Sequence, residues 1–134
     1  MKTIKFKFIA LLIVLAGIGG SCSVDDNEDY CFFSAYTATS SVAGPTTTTV
    51  NVPITLTVGF IPLTSCGAFK TFSEGTTFPK SIKVLADYTG CNCPATKTET
   101  KVPYIFTATT PGEYVLNFAT ATDIPKTITI TVTE

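Results

Sequence analysis

The chain has 134 residues and a formal net charge of −1, and it contains no histidine, arginine or tryptophan. Without histidine it lacks the commonest general base and the usual catalytic metal ligand, which disfavours an enzyme. Without arginine it lacks the clustered basic residues that bind phosphate, so we expect no nucleic-acid partner.

The first thirty residues combine lysines, an apolar run and a cysteine in a fixed order. Lys2, Lys5 and Lys7 precede the apolar residues 8–18, which are too few to span a bilayer, and small residues lead to Cys22. This pattern resembles a lipoprotein signal peptide. The resemblance implies that residues 1–21 are removed and that Cys22 carries the lipid. The alternatives are an ordinary cleaved secretory signal and a retained membrane helix.

Residues 22–30 carry four acidic side chains directly after this cysteine. The acidic run resembles the surface-export signal of Bacteroidota-type lipoproteins, which implies an outer-membrane anchor and exposure on the cell surface. Asp25, Asn27 and Asp29 also have the alternate spacing that opens a calcium loop, but Tyr30 stands where such a loop needs glycine. We therefore interpret residues 22–30 as an acidic tether that reaches at most about 30 Å.

Residues 31–134 suffice for one domain with a single core. Apolar residues alternate with period two at residues 50–60 and 127–133, which predicts strands buried on one face. Further strands are predicted at residues 32–39, 68–72, 82–88, 102–107 and 114–119. Seven short strands separated by turn signals, with no helical pattern, predict an all-β, antiparallel seven-stranded sandwich. A closed barrel is the main alternative.

Residues 111–118 read PGEYVLNF, a turn followed by tyrosine and alternating apolar residues. This segment resembles the penultimate strand of immunoglobulin-like domains. The resemblance implies a single bacterial Ig-like domain over residues 31–134, with Tyr114 as the corner tyrosine. Leu116 occupies the place of the antibody family's cysteine, so an antibody-type core disulfide is excluded. The resemblance implies a fold more than a function.

Four cysteines follow Cys22, and an even number in an exported chain predicts two disulfides. If successive strands alternate in direction, all four cysteines lie at one end of the sandwich. Cys91 and Cys93 would form a strained ring with each other, so each is predicted to pair with Cys31 or Cys66, in either combination. The alternative is a zinc site, but the paired Cys-x2-Cys spacing typical of such sites is absent.

We predict no catalytic residue, metal or cofactor. An activated thiol would need a base or a neighbouring basic residue, and the sequence places neither beside its cysteines. The carboxylates beyond the tether are scattered over different turns and outward strand positions, and we interpret them as solubilising surface charges: Glu74, Asp87, Glu99, Glu113 and Asp123.

The sequence therefore predicts a membrane-anchored, surface-exposed lipoprotein that acts as a non-catalytic binding, adhesion or structural module. The alternatives are a glycan-binding accessory of a polysaccharide-uptake system and an enzyme inhibitor. Its partners would be the lipid bilayer, through Cys22, and an extracellular protein or glycan. With the cysteine end toward the membrane, the loops at residues 40–47, 73–79 and 107–112 would point away from the cell. Phe78, an apolar ring in a turn, is the candidate partner contact; alternatively its ring caps the core.

Overall fold

A computed structural model describes residues 31–134. The predicted signal peptide, the predicted tether and the predicted lipidation site Cys22 lie outside the described residues. Within them no helix is long and apolar enough to cross a membrane. The strands are β1 (Phe32–Thr37), β2 (Thr39–Ala43), β3 (Thr47–Thr49), β4 (Ile54–Phe60), β5 (Gly67–Glu74), β6 (Lys80–Thr89), β7 (Thr100–Phe106), β8 (Gly112–Phe118) and β9 (Lys126–Thr133).

The described strands form two separate sheets, so the fold is an all-β sandwich rather than a closed barrel. The larger sheet has the order β1-β6-β8-β9-β3, with β5 also paired to β6, and the smaller has the order β2-β4-β7. The prediction of seven antiparallel strands is wrong in two respects. Nine strands are present between residues 31 and 134, and the pairs β6–β8 and β3–β9 are parallel.

The alternating apolar residues of the sequence form the core between the two sheets. Leu56, Val58 and Phe60 of β4 are fully buried, as is Ile130 of β9. The threonines that alternate with the apolar residues of β9 are exposed. Aromatic rings join the sheets, since the Tyr104 ring of the smaller sheet lies edge-on to rings of the larger. The period-two prediction for the buried face is therefore confirmed within β4 and β9, whereas Val52, which the pattern placed on the same face, is 48% exposed.

The two additional strands arise where the sequence lacks an alternating pattern. The predicted strand 32–39 is divided, because the chain leaves the larger sheet after Thr37 and joins the smaller one at Thr39. Residues 40–43, predicted as a loop, therefore belong to β2. Polar β3 pairs in parallel with β9. Asn51, with a φ of 61°, and Pro53, which has no N–H, separate β3 from β4, so the strand predicted from residue 50 begins at Ile54.

Candidate binding groove

The four described cysteines lie together at one end of the sandwich, which we call the disulfide end. β1 and β5 both run antiparallel to β6, so the starts of β1 and β5 meet the end of β6. Cys31 bonds to Cys91, and Cys66 bonds to Cys93, with Cα separations of 4.9 and 5.7 Å. The two predicted disulfides are thus present, and the structure supplies the pairing that the sequence left open. All four described thiols are engaged in these bonds.

A glycine makes the turn into the disulfide end possible. Gly90 has a φ of +123°, a conformation that L side chains rarely adopt, and its N–H donates to the carbonyl of Cys31 at 2.8 Å. A Cβ at this position would lie 3.0 Å from Sγ of Cys93. The backbone conformation therefore favours glycine here, and a side chain would also press on the second disulfide.

Phe78 lies at the opposite end, in the connection between β5 and β6. Its side chain is 44% exposed, and the ring lies edge-on to Tyr114 with 4.9 Å between ring centroids. Nζ of Lys80 lies 5.2 Å from the Phe78 ring centroid. One edge of the Phe78 ring therefore packs on Tyr114 while much of the ring faces solvent, and its role as a partner contact stays a prediction.

Two of the predicted surface carboxylates lie in polar networks across strands. Asp87 of β6 accepts a hydrogen bond from Ser34 of β1 and forms an ion pair of 3.1 Å with Lys70 of β5. The Ser34 hydrogen bond, together with Lys70, holds the pKa of the Asp87 carboxyl below its ordinary value. This network joins the same three strands that the disulfides connect.

Glu99 reaches across the smaller sheet in a similar way. Its carboxylate accepts hydrogen bonds of 2.6 Å from the hydroxyls of Ser40 and Ser41 and lies over Gly59, where a Cβ would collide with it. These hydrogen bonds lower the pKa of the Glu99 carboxyl. Burial, with a smaller contribution from the charge of Glu74, raises the pKa of Tyr104. No group of three or more His, Cys, Asp or Glu within residues 31–134 is arranged to hold a metal ion.

A groove runs along the side of the sandwich where the chain crosses from β1 to β2. It consists of one cavity of about 640 Å³ and a second of about 390 Å³. Ala38, Thr120 and Ala121 line both cavities, so the two lie side by side. A volume of this size falls within the range of known ligand pockets. We call this depression the side groove.

The side groove collects exposed apolar side chains from three parts of the chain. Four large hydrophobic residues line it while remaining 38–77% exposed to solvent: Tyr36, Ile61, Leu63 and Ile124. Single exposed apolar residues are common on protein surfaces, but contiguous groups of them often mark interaction sites. The convergence therefore makes this groove the leading candidate for a binding site.

The wall of the side groove is held in place by hydrogen bonds. The N–H of Ala119 donates to the carbonyl of Ile82 at 2.9 Å, and the N–H of Thr39 donates to the carbonyl of Ala119 at the same distance. Farther along the loop, the hydroxyl of Thr120 donates to the carbonyl of Ile124 at 2.8 Å. These bonds fix the loop that presents Ile124, so the groove is formed before any ligand arrives.

Charged groups of both signs lie in or beside the side groove. Lys83 lines the smaller cavity and Lys126 the larger, and Asp123 lines a further cavity that shares Thr120, Thr122 and Pro125 with the larger one. Thr39 lines the larger cavity and is almost fully buried. Within residues 31–134, its Oγ1 is the buried side-chain polar atom that has no hydrogen-bond partner.

Sequence reasoning missed the side groove, although part of the signal was present. Ile124 stands in a predicted turn and Ile61 and Leu63 directly follow a predicted strand, where no periodicity explains an apolar side chain. This is the signal that singled out Phe78, and it applies equally to these three residues. In comparisons with known proteins, the chain matches no family model, no curated protein and no solved structure.

Proposed function

We propose that this protein is a lipid-anchored, non-catalytic binding module of the cell surface. The observation that carries the proposal is the side groove, a preformed depression with four exposed apolar side chains on a rigid β-sandwich. Apolar side chains that a fold leaves in contact with water represent binding free energy available to a partner.

The anchor is proposed to be Cys22, in the outer membrane. The described chain begins at Cys31, at the disulfide end, so the acidic residues 22–30 connect a lipid on Cys22 to this end of the sandwich. At the tether's full reach of about 30 Å, the domain stays close to the bilayer. The loop that carries Phe78 lies at the far end.

The domain is further proposed to be Ig-like. Tyr114 lies near the start of β8, the penultimate strand, and its hydroxyl donates to the carbonyl of Thr110, four residues upstream, at 2.8 Å. A tyrosine in this strand position, with its hydroxyl bonded back to the preceding backbone, is typical of the tyrosine corner of Ig-like sandwiches. Leu116 is buried where the antibody family has its cysteine.

The polar networks support a binding role over catalysis. The carboxylate of Asp87 is engaged by Ser34 and Lys70, and that of Glu99 by two serine hydroxyls. Both pKa values are lowered, so these groups are poor proton acceptors at neutral pH. A general base needs a pKa near the working pH instead.

The anchor is tested by expressing Cys22→Ala in the native type of host and fractionating the cells. We expect the variant to leave the membrane fraction, because a lipid is what holds the chain there. Ser23→Ala is the matched control and should stay with the membrane. Retention of Cys22→Ala at the parent level would contradict the anchor.

The binding role is tested with 8-anilinonaphthalene-1-sulfonate, an amphiphilic anion, added to the full chain in phospholipid nanodiscs, with the signal of empty nanodiscs subtracted because the dye also enters bilayers. We expect saturable binding that is lost in the double variant Leu63→Ser/Ile124→Ser. Ile105→Ser is the matched control, because Ile105 is 67% exposed on β7 outside the groove. Equal binding by the double variant and the control would exclude the groove as the binding site.

Glycan binding is a second candidate, favoured by one observation on β1. Phe32 and Tyr36 lie on the same face of this strand, each about half exposed, with the Ser34–Asp87–Lys70 network between them. Aromatic rings beside charged hydrogen-bonding groups suit sugar rings and their hydroxyls. Affinity electrophoresis in soluble polysaccharides tests this candidate: retardation that Tyr36→Ala abolishes and Ile105→Ala preserves would support it.

A further inference from the structure

We infer that this chain pairs with a second copy of itself through the outer edge of β1. In this pair the two β1 strands lie antiparallel and join the two larger sheets into one. The inference goes beyond the proposed binding function, because it concerns a sheet edge and does not depend on a ligand in the side groove. Within residues 31–134, β6 is the strand that pairs with β1, so the opposite edge of β1 is not covered by a described strand.

The hydrogen bonds between β1 and β6 show which backbone groups face this outer edge. The N–H of Gly90 donates to the carbonyl of Cys31, directly before the continuous register of β1 with β6. Opposed residues in an antiparallel ladder alternate between hydrogen-bonded and non-hydrogen-bonded pairs. The ladder therefore bonds Cys31 and every second residue after it to β6, whereas the backbone N–H and C=O groups of Ser34 and Tyr36 point to the outer edge.

The exposure of the β1 side chains agrees with an open edge. Phe33 lies on the face toward the core and stacks on buried Tyr88 with 4.7 Å between ring centroids, yet 46% of Phe33 is exposed. Tyr36, on the other face, is 58% exposed. A core-facing ring in this state indicates that the core is incompletely covered along the outer edge of β1. A further strand at this edge would cover it.

The other strands at the sheet edges carry features that block pairing. β2 and β5 each contain a register shift, β5 also presents Lys70, β7 contains Pro103, and β3 has only three residues. Bulges, lysine, proline and short length are the usual means of protecting an edge. The six residues of β1, FFSAYT, include no proline, glycine or charge and pair with β6 in a continuous register. This edge is therefore suited to pairing.

The outward-facing backbone groups determine the register of the pair. Among the registers that pair these residues with each other, the overlap is greatest when Ser34 lies opposite Ser34 of the second copy. The two Ser34 residues then exchange two backbone hydrogen bonds across a two-fold axis. The same register places Tyr36 of each copy opposite Phe32 of the other, and such cross-strand aromatic pairs stabilise a sheet.

A second copy is the occupant that this edge fits. The two-fold pair uses both unprotected β1 edges at once, so association stops at the dimer, whereas pairing with a different edge would leave a β1 edge open for further addition. The other described edges of this chain are blocked. A single pair of six-residue strands is small beside a standard interface, so we expect monomer and dimer to exchange with concentration.

Sedimentation velocity of the full chain in detergent micelles, over a range of concentrations, tests the inference. We expect a monomer–dimer equilibrium for the parent. Ser34→Pro removes an N–H that points away from β6, so we expect the dimer dissociation constant to rise by about tenfold or more. Ser34→Ala is the matched control. It also loses the hydroxyl contact with Asp87 but keeps the N–H, so it should dimerise like the parent.

A charge exchange covers the case in which Ser34→Pro disturbs β1 itself. Ser34→Lys and Ser34→Glu should each be monomeric, because like charges then face each other across the axis, and an equal mixture of the two should regain the dimer. A mixture that stays monomeric would overturn the inference, as would a parent that is monomeric up to about 1 mM. Dimers that persist unchanged in Ser34→Pro would place the association on another surface, and the inference would again be wrong.

Discussion

The disulfide end and the side groove are built in opposite ways. At the disulfide end, two covalent bonds tie the starts of β1 and β5 to the residues that follow β6. At the side groove, threonine and backbone hydrogen bonds hold the loop, and Ile124 on that loop is 77% exposed. The four large apolar side chains of the groove thus remain 38–77% exposed in the fold. The difference separates residues that maintain the fold from residues that remain available to a partner.

Removal of a disulfide should give the largest effect. Because the bonds close loops of 60 and 27 residues, we expect Cys31→Ser/Cys91→Ser to lower the free energy of unfolding by about 4 kcal/mol, and Cys66→Ser/Cys93→Ser by about 3.5 kcal/mol. Urea denaturation of each double variant measures the change. If both double variants lose less than about 1 kcal/mol of unfolding free energy, the disulfide end is not the main source of stability.

Phe78 tests how much an aromatic contact stabilises the end of the sandwich opposite the disulfides. Phe78→Ala removes the edge-on contact with Tyr114, so we expect the free energy of unfolding to fall by about 1 kcal/mol. Ile105→Ala serves as the control for an exposed apolar side chain. A loss of about 3 kcal/mol or more, as for a core phenylalanine, would instead identify Phe78 as part of the core.

Substitution of Thr39, which lines the side groove, should raise the free energy of unfolding, whereas the preceding substitutions lower it. Thr39→Val removes a buried hydroxyl that has no partner, so we expect the free energy of unfolding to rise by up to about 1 kcal/mol. Thr37→Val is the matched control: Thr37 is also buried, but its hydroxyl donates to the carbonyl of Ile61 at 2.8 Å. Thermal and urea unfolding should show the control destabilised. A Thr39→Val variant that is less stable than the parent would contradict the conclusion that the Thr39 hydroxyl has no hydrogen-bond partner.

Asp87 tests the hydrogen bond and the ion pair that connect β6 to β1 and β5, the strands that the disulfides also connect. We expect its effect on the free energy of unfolding to be the smallest. Its pKa in the folded protein is lower than the ordinary value of 3.8, so its contribution to stability is present above pH 3.8 and lost as the pH falls through the folded pKa. We expect the parent to lose more stability in this range than Asp87→Asn. Ser34→Ala, which removes the largest cause of the shift, should reduce the pH dependence. Identical acid unfolding curves for all three proteins would contradict a stabilising role for the Asp87 carboxylate and its hydrogen bond with Ser34.

The sequence predicted those parts of the fold that depend on local pattern. The alternation in β4 and β9 identified buried Leu56 and Ile130, and the placement of cysteines at strand ends predicted a common end for all four. It missed β2 because Ser40 and Ser41 interrupt any alternation, and β3 because a short threonine run has no apolar face.

The sequence marks Ile61, Leu63 and Ile124 as apolar residues without a periodic role, but their meeting in one groove could not be predicted because it depends on long-range topology. Tyr36 and Ile124 are far apart in sequence, and their proximity depends on the crossing from β1 to β2 and on the parallel pairing of β8 with β6. Local periodicity carries no information about either feature. The lipid anchor at Cys22 lies outside the described residues and stays a prediction.

The Cys31–Cys91 bond also determines how the domain would respond to mechanical load. A pull on the N-terminal segment enters the described domain at Cys31, directly before β1. Without the bond, such a force could peel β1 from β6 one hydrogen bond at a time. With it, the force passes through the sulfur atoms to the end of β6, where Tyr88 pairs with both β1 and β5. Separation would then require several strands to shear together, so the sandwich should resist tension applied from its N-terminal side.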